Sequence, residues 1–244
     1  MDRTAPASND ITSAMVLAAG LGSRMRHLSA DRPKPLIEVA GRALLDRVLD
    51  RLVEAGIARA VVNVHYLADQ IEAALKLRSA PLIEISDERD ARLETGGGVK
   101  RALPLLGDGP FLIMNSDCIW QEGFGRNLDR LMQAWDDSEM DALLLVTSAT
   151  DSLGYDGRGD FHMDQLGRLS RRREGEDAPH VFTGASIAHP RLFDGAPDGA
   201  FSMNHVWNEA IASGRLFGVR MDGLWMHVGT PEARAAVEIR LADE

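Results

Sequence analysis

The chain has 244 residues, of which 45% are hydrophobic, enough to bury the core of one α/β domain. Its formal net charge of −10 excludes general binding to nucleic acid, because a phosphate backbone needs a basic face. A few local cations can still bind a small phosphorylated ligand. No apolar run approaches the roughly 20 residues that span a bilayer, and the single cysteine cannot form an internal disulfide, so we expect a cytoplasmic protein without a membrane partner.

The start of the chain differs from the rest in composition. Residues 1–10 are small and polar and lack the basic start and apolar middle of a signal peptide, so residues 1–13 are predicted to be a disordered tail. No linker, repeat or low-complexity segment follows. Residues 14–244 are therefore predicted to form a single domain.

Strands and helices alternate through the next part of the chain. Apolar runs predict strands at 14–19, 60–64, 81–85, 111–114 and 142–146, and apolar residues at helical spacing predict helices at 43–55, 67–77 and 124–135. Both assignments use the periodicity that each element requires of its buried face. The alternation predicts an α/β fold with a Rossmann-like, mostly parallel sheet flanked by helices.

The rhythm of the sequence changes after residue 150. A hairpin is predicted over residues 159–170, with its turn at 164–167, and strands are predicted at 181–188, 216–220 and 224–227. A helix is predicted over 202–213 with Ser202 as its N-cap, and a last helix opens at Pro231, since proline is tolerated at the first helical position. We expect this later part to close over one edge of the sheet.

A glycine-rich loop follows the first strand and carries the strongest chemical signal. Gly20 and Gly22 let backbone N–H groups approach phosphate oxygens without side-chain obstruction, and Arg24 adds positive charge beside them. Lys34 lies between two prolines in an arginine-rich chain, which indicates a site that needs a compact point charge. The glycine spacing matches neither the dinucleotide-binding pattern nor a P-loop, so a Rossmann-type oxidoreductase is not favoured.

Several ordered motifs together resemble the signature of the sugar nucleotidyltransferases, also called nucleotide-sugar pyrophosphorylases. They are Leu-Ala-Ala-Gly at 17–20 with Arg-Met-Arg at 24–26, Pro-Lys-Pro-Leu at 33–36, Glu-Thr-Gly-Gly-Gly at 94–98, Asn-Ser-Asp at 115–117, Phe-Thr-Gly at 182–184 and Val-Gly-Thr-Pro at 228–231. The resemblance covers nearly the whole chain. It implies a mixed-sheet fold of the nucleotide-diphospho-sugar transferase type, with a nucleotide-binding part at 14–150 and a small hairpin-containing, sugar-binding part at 151–244.

The resemblance implies an enzyme that joins a nucleoside triphosphate to a sugar 1-phosphate and releases pyrophosphate. The compact length and the runs at 94–98, 104–108 and 157–161 look most like bacterial members that use UTP and N-acetylmuramate 1-phosphate in peptidoglycan recycling. Members that use GTP and mannose 1-phosphate remain the alternative, and a nucleotide-binding module without turnover is a remote one. The sequence does not indicate the oligomeric state.

The resemblance also implies roles for particular residues. The attacking sugar phosphate is already anionic, so catalysis consists of positioning and charge neutralisation. Arg24 would neutralise the leaving pyrophosphate and Lys34 the α-phosphate, and the loop at 94–98, ahead of a helix expected near Val99, would recognise the nucleobase. The residues implied to bind the nucleotide are Leu17, Ala18, Ala19, Gly20, Gly22, Ser23, Arg24, Glu94, Thr95, Gly96 and Asn115.

The implied metal site departs from the family pattern. Asp117 follows the strand at 111–114, and the resemblance implies that it holds Mg²⁺ against the phosphates. Family members usually have an aspartate as the second ligand where this chain has His227. Magnesium prefers oxygen ligands, so either Asp117, phosphates and water hold the ion alone, or His227 suits Mn²⁺ better, or His227 only touches a phosphate.

Sugar contacts are implied at Asp160, Glu174, Thr183 and Gly184, because carboxylates and backbone groups suit sugar hydroxyls. N-acetylmuramate also carries a lactyl carboxylate. The run of three arginines at 171–173, or His205, is a candidate partner for that carboxylate, and a solvated turn is the plainer interpretation of the run.

Overall fold

The structure, a computed structural model, describes residues 11–242, except for the side chains of Arg26 and Asp151. Most of the predicted tail, residues 1–10, therefore lies outside the described residues. The last three residues of that tail belong to the fold. Ile11 is buried in the core, and Ser13 begins the first strand, where its hydroxyl donates to the carbonyl of Leu106 at 2.9 Å. The prediction that residues 11–13 are disordered is wrong, because Ile11 is buried in the core and Ser13 begins the first strand.

The predicted alternation of strands and helices is confirmed within the described residues. The strands are β1 (Ser13–Leu17), β2 (Glu38–Val39), β3 (Arg42–Ala43), β4 (Arg59–Val64), β5 (Leu82–Asp87), β6 (Phe111–Asn115), β7 (Cys118–Glu122), β8 (Ala142–Ser148), β9 (Ser152–Leu153), β10 (Phe161–Met163), β11 (Leu169–Arg171), β12 (His180–Ala188), β13 (Leu216–Arg220) and β14 (Gly223–His227). The α-helices are α1 (Leu44–Glu54), α2 (Ala68–Leu75), α3 (Glu94–Leu106), α4 (Asn127–Ala134), α5 (Met203–Ala212) and α6 (Pro231–Ala242). Short 3₁₀ helices lie at Ser23–Ser29, Lys34–Leu36, Ala149–Asp151 and Pro190–Phe193.

The central sheet is mixed. In the described residues its strands follow the order β11-β10-β12-β6-β1-β4-β5, with β8 beside β12 and β13 beside β8. Strands β6, β1, β4 and β5 run parallel, as do β8 and β13, whereas β12 runs antiparallel to β6, β8 and β10. The predicted hairpin is the β10–β11 pair. The later part of the chain therefore extends the parallel sheet through one long antiparallel strand.

Alternation of side chains along β1 decides which face of the sheet each residue serves. Ala14 and Val16 join the apolar cluster that contains α1, whereas Met15 joins the cluster on the other face with α3. Apart from the exposed Val53, the apolar residues of α1 recur at helical spacing and are buried, and each such side chain contributes about 1.5–3 kcal/mol when fully buried. Both clusters contain residues from before and after residue 150, so the two predicted parts share their cores.

A second sheet brings the end of the chain against the centre of the molecule. It pairs β7, β14 and β9 in that order, and the β7–β14 register places His227 opposite Cys118. The amide of Val228 donates to the carbonyl of Asp117 at 3.3 Å, and Val237 of α6 packs in the apolar cluster beneath. Strand β7, which sets the position of His227, was not predicted from the sequence.

Candidate active site

A cleft opens at the carboxyl ends of β1, β4 and β6, the edge where ligands bind in open α/β sheets. The register aligns Leu17 with both Asn63 and Asn115, so the three strands end level with one another. The cavity has a volume of about 470 Å³ and brings together these predicted site residues: Leu17, Ala19, Gly20, Lys34, Glu94, Thr95, Asn115 and Asp117. It is also lined by residues that were not predicted from the sequence to belong to the site: Leu21, Pro35, Asn63, Glu88, Arg92, Ser116 and Ser202.

A buried asparagine holds the start of the glycine-rich loop. The side-chain oxygen of Asn63 accepts from the amides of Ala18 at 2.7 Å and Ala19 at 3.3 Å, and its Nδ2 donates to Glu88 Oε1 at 2.7 Å. Glu88 is 0% exposed, and burial raises the pKa of its carboxyl. Since the Ala18 amide is committed to Asn63, its predicted role in the nucleotide site is structural. The signal in the sequence was a lone polar residue inside the apolar run at 60–64.

The second glycine of the loop packs against the predicted catalytic lysine. Gly22 has a φ of +65°, and a Cβ added there would lie 2.9 Å from Lys34 Cβ, so a larger residue would displace the lysine. Lys34 Nζ donates to Asp117 Oδ2 at 2.7 Å, and the two side chains are 12% and 23% exposed. Burial opposes ionisation of Asp117, but Lys34, His227 and the hydrogen bond from Cys118 together lower the pKa of that carboxyl, with the Lys34 ammonium as the main contributor.

The rest of the predicted phosphate loop lies beside the cavity. Ser23 and Arg24 are exposed in the 3₁₀ helix that follows Gly22, and the structure places neither side chain among the residues that line the cavity. Burial is the main cause that lowers the pKa of His227, with Lys34 and Arg24 adding to it. Arg24 is therefore close enough to the end of β14 to act on it electrostatically.

The glycine run at 94–98 is part of a helix. We predicted a helix start near Val99 and a glycine run that lies close to a flat base, whereas α3 begins at Glu94. The amides of Gly96 and Gly97 donate to the carbonyl of Phe201 at 2.8 and 3.1 Å. A Cβ at Gly96 would lie 2.4 Å from the Phe201 ring. These glycines are thus explained by close packing of α3 against the segment before α5, while Glu94 and Thr95 still line the cavity.

Asp117, Cys118 and His227 form a cluster whose possible ligand atoms lie within 4.8 Å of one another. His227 stacks on Trp225, with ring centroids 5.6 Å apart, and its buried Nδ1 has no hydrogen-bond partner among the described residues. Burial raises the pKa of the Cys118 thiol well above its usual value. The Asp117 carboxylate fits a magnesium ion, whereas a neutral thiol and an imidazole do not, because Mg²⁺ prefers oxygen ligands.

Two further cavities continue from the first. The nearer, of about 280 Å³, shares Leu17, Thr95 and Asn115 with the first cavity and reaches Asp160 and Arg171. The farther, of about 470 Å³, is lined by Asp160, Arg171, Arg172, Glu174, Asn204 and Asn208. Asp160 is fixed by the amide of Phe182, which donates to its Oδ2 at 2.9 Å. The predicted sugar residues Asp160 and Glu174 therefore lie together at one end of a continuous trough.

Thr183 and Gly184, also predicted to contact the sugar, lie behind the wall of this trough. Thr183 is fully buried, its hydroxyl donates to the carbonyl of Leu145 at 2.8 Å, and its own carbonyl accepts from Trp225 Nε1 at 2.9 Å. Gly184 has a φ of +93°, and a Cβ there would lie 2.6 Å from Cys118 Sγ. The prediction of direct sugar contact by the Thr183 side chain is therefore corrected to a supporting role. His205 is exposed and packs edge-on against the Phe201 ring.

Comparison with known proteins identifies the class to which this site belongs. Residues 14–196 match the family described as the MobA-like NTP transferase domain. The chain is 51% identical over 234 residues, 94% of this chain and 97% of the relative, to an N-acetylmuramate alpha-1-phosphate uridylyltransferase from Caulobacter vibrioides. It is 37% identical over 221 residues, 89% of this chain and 93% of the relative, to a protein of the same name from Neisseria meningitidis. The chain belongs to the MobA-like NTP transferase family.

More distant comparisons agree on the fold. The catalytic subunit beta of mannose-1-phosphate guanylyltransferase from Drosophila melanogaster is 28% identical over 235 residues, 93% of this chain and 62% of the relative. The crystal structure of HddC from Yersinia pseudotuberculosis complexed with GMP-PN superposes with a TM-score of 0.77 at 20% identity, and covers 95% of this chain and 100% of that one. The likeness to this structure confirms the predicted fold, and the family match together with the two highly identical relatives confirms the predicted nucleotidyltransferase class.

Proposed function

We propose that this enzyme transfers a uridylyl group from UTP to N-acetylmuramate 1-phosphate and releases pyrophosphate. The observation that carries the proposal is the continuous trough, because the two inner cavities share Leu17, Thr95 and Asn115. A nucleotide in the first cavity and a sugar phosphate in the second would meet at this shared wall. High identity to two uridylyltransferases along nearly the whole chain supports UTP and N-acetylmuramate 1-phosphate. GTP with mannose 1-phosphate is the second candidate, supported by the more distant guanylyltransferase relatives.

The proposed reaction is an in-line substitution at the α-phosphorus of the triphosphate. An oxygen of the sugar phosphate forms a new P–O bond, and the bond to the bridging oxygen breaks, so that pyrophosphate leaves with the electron pair. The loop at Gly20 and Leu21 would present backbone N–H groups to the phosphates. Lys34, which is mostly buried and lines the first cavity, would stabilise the charge that builds up at the α-phosphate. Arg24, exposed near the end of β14, would neutralise the departing pyrophosphate.

The two predicted parts would bind different substrates along the trough, the first part the nucleotide and the second part the sugar. Residues 14–150 supply most of the wall of the first cavity, and residues 151–244 supply Asp160, Glu174 and the arginines of the far end. We place the reaction in the cytoplasm, because the single cysteine is free and buried and the proposed substrates are small and phosphorylated. The proposed sugar, N-acetylmuramate 1-phosphate, would make the reaction part of peptidoglycan recycling. Among residues 11–242, no helix combines the length and apolar character needed to cross a membrane.

The proposed cofactor is Mg²⁺, with Mn²⁺ as the alternative. The Asp117 carboxylate and the phosphate oxygens of the substrates would hold the ion, which is how proteins commonly bind Mg²⁺ in phosphoryl-transfer sites. When bound, such an ion neutralises phosphate charge. His227 lies within reach of the same position, and its nitrogen suits Mn²⁺ better than Mg²⁺.

The metal preference is tested by comparing the wild type with His227→Asp in Mg²⁺, Mn²⁺ and Co²⁺. An oxygen ligand at position 227 should raise the activity in Mg²⁺ relative to Mn²⁺. Direct metal titration of both proteins, followed by fluorescence of Trp225, which stacks on this side chain, gives a second readout. Identical activity profiles and identical affinities for the ions would exclude a metal role for His227.

The function is tested by measuring pyrophosphate release. Four nucleoside triphosphates are combined with N-acetylmuramate 1-phosphate, mannose 1-phosphate and glucose 1-phosphate, in Mg²⁺ and in Mn²⁺. Release with UTP and N-acetylmuramate 1-phosphate alone is the expected result. Release with GTP and mannose 1-phosphate would replace the proposal by the second candidate. Triphosphate binding without release in any pair would indicate a binding module.

A further inference from the structure

One guanidinium in the far part of the trough is held rigidly by neutral groups. Arg171, the last residue of β11, lies opposite Phe161 in the hairpin, and its guanidinium carbon is 4.5 Å from the centroid of the Phe161 ring and 5.9 Å from that of Trp207. Its Nε donates to Asn208 Oδ1 at 3.0 Å and its Nη2 donates to Asn204 Oδ1 at 2.7 Å. Asn204 and Asn208 are one turn apart on α5, so the side chain is fixed from two directions.

No carboxylate of the described residues forms an ion pair with this arginine. Asp160 acts on it electrostatically from farther away. Arg78, which is also partly buried, forms ion pairs with both Asp46 and Asp50. A half-buried guanidinium costs free energy unless an anion compensates it. The arrangement is therefore that of a preorganised anion receptor, with the aromatic rings and the asparagines orienting the fork.

The neighbouring arginines are used differently. Arg172 donates to the carbonyls of Gly159 and Glu176 at 3.0 and 3.3 Å, which ties the hairpin together. The side chain of Arg173 is 86% exposed and lies 4.0 Å from that of Glu176. The run at 171–173 is thus not a uniformly solvated turn, because its first member faces the trough.

The position of Arg171 decides which anion it meets. It lines the second and third cavities, whereas Lys34 and Asp117 line the first. In the proposed reaction the phosphate of the sugar meets the triphosphate at the wall that the first two cavities share, so an anion at Arg171, which also lines the third cavity, would be a second one, carried by another part of the sugar.

We propose that Arg171 is the residue that selects a sugar 1-phosphate bearing a carboxylate substituent, and that it binds this carboxylate with its guanidinium fork. The inference rests on the proposed function, in which the lactyl carboxylate of N-acetylmuramate 1-phosphate is the anion. N-acetylglucosamine 1-phosphate lacks that group and is otherwise the same sugar, so Arg171 accounts for discrimination between the two.

The test compares Arg171→Gln with wild type on both sugars, with UTP and pyrophosphate release as the assay. A charge-assisted hydrogen-bonded pair predicts a loss of roughly 10- to 100-fold in kcat/KM for N-acetylmuramate 1-phosphate, mainly through KM. The value for N-acetylglucosamine 1-phosphate should stay nearly constant. Where turnover of that sugar is too slow to follow, its inhibition constant against N-acetylmuramate 1-phosphate supplies the same comparison. Arg171→Lys, which keeps the charge without the fork, should lose an intermediate amount.

Arg173→Gln is the matched control, since it removes a positive charge from the same run at an exposed position, and it should leave both sugars unaffected. Equal losses for both sugars in Arg171→Gln would mean that the residue only supports the fold. No loss for either sugar would mean that it does not contact the substituent. Either result overturns the inference alone. A wild-type enzyme that releases no pyrophosphate from UTP and N-acetylmuramate 1-phosphate would instead overturn the proposed function.

Discussion

Removal of the Asn63 side chain should damage both the stability of the protein and its affinity for the triphosphate. Asn63 is 2% exposed, and its amide accepts from Ala18 at 2.7 Å and donates to Glu88 at 2.7 Å. In Asn63→Ala the Ala18 amide keeps no acceptor, and Glu88 loses its closest donor. A buried polar group without its partner costs about 1–3 kcal/mol, so the two together predict a loss of about 2–6 kcal/mol. For a domain of this size, the corresponding fall in Tm is between roughly 4 and 24 °C.

A matched control separates the loss of stability from the loss of function. Asn127 is also fully buried, and its side chain accepts from the amide of Asp222 and donates to its carbonyl, both at 2.7 Å. Asn127→Ala should therefore cost a similar amount of stability, but this residue lies at the start of α4, outside the residues that line the trough.

The assay is thermal unfolding together with calorimetric titration of UTP, at a temperature where all three proteins are folded. Because the loop after β1 would lose its anchor, we expect Asn63→Ala to bind UTP on the order of 10-fold more weakly, which is about 1.4 kcal/mol, and Asn127→Ala to bind it like wild type. If the two variants bound UTP equally well, the argument that Asn63 positions the phosphate loop would be refuted.

Three further predictions follow from single contacts. Lys34→Met should lower kcat by roughly 10²- to 10³-fold, because it removes a preorganised charge at the α-phosphate, while Lys76→Met, at an exposed position, should release pyrophosphate at the wild-type rate. Gly97→Ala should lower Tm, since the new Cβ would lie 2.2 Å from a backbone carbonyl, whereas Gly109→Ala, with no heavy atom within 4 Å of its Cβ, should not. Burial raises the pKa of Glu88, so its contribution to stability is present at low pH and is lost as pH rises through the folded-state value. As pH rises above about 4, the ordinary pKa of a glutamate, the Tm of Glu88→Gln should therefore fall less than that of wild type.

The fold could be predicted from the sequence where periodicity is strong and local. The helix capped by Ser202 was predicted on its side-chain chemistry, and the structure shows its hydroxyl accepting from the amide of Asn204 at 3.2 Å. Strand β7 was missed because the turn at Ser116 and Asp117 carries no glycine or proline to mark it. The start of α3 was misplaced because glycine has a low helix propensity, roughly 1 kcal/mol per residue below alanine, and contact with Phe201 overrides it.

The site could be predicted only in part, for a related reason. Residues such as Lys34 and Asp117 were found because short motifs surround them, and the structure joins the two in one ion pair. The contact of Asn63 with Glu88 spans 25 residues, and that of Arg171 with Asn204 spans 33 residues. No local pattern connects positions so far apart. Whether Arg171 lies in a solvated turn or lines the trough depends on its contacts with α5. The sequence of the turn gives no information about those contacts.

The register of the parallel strands brings the residues of the candidate site together at one edge of the sheet. Because Leu17 pairs with both Asn63 and Asn115, three chain segments leave the sheet at the same level, and their next residues form one wall. That register depends on apolar alternation, since Val16 must face one cluster and Met15 the other. A slip of one residue in β4 would bury the wrong face and would also turn the Asn63 amide away from the loop that it holds. The same packing that stabilises the sheet therefore aligns the groups proposed to bind the phosphates. Substitutions in the core of β1 or β4 should weaken the affinity for the nucleotide even when the protein stays folded.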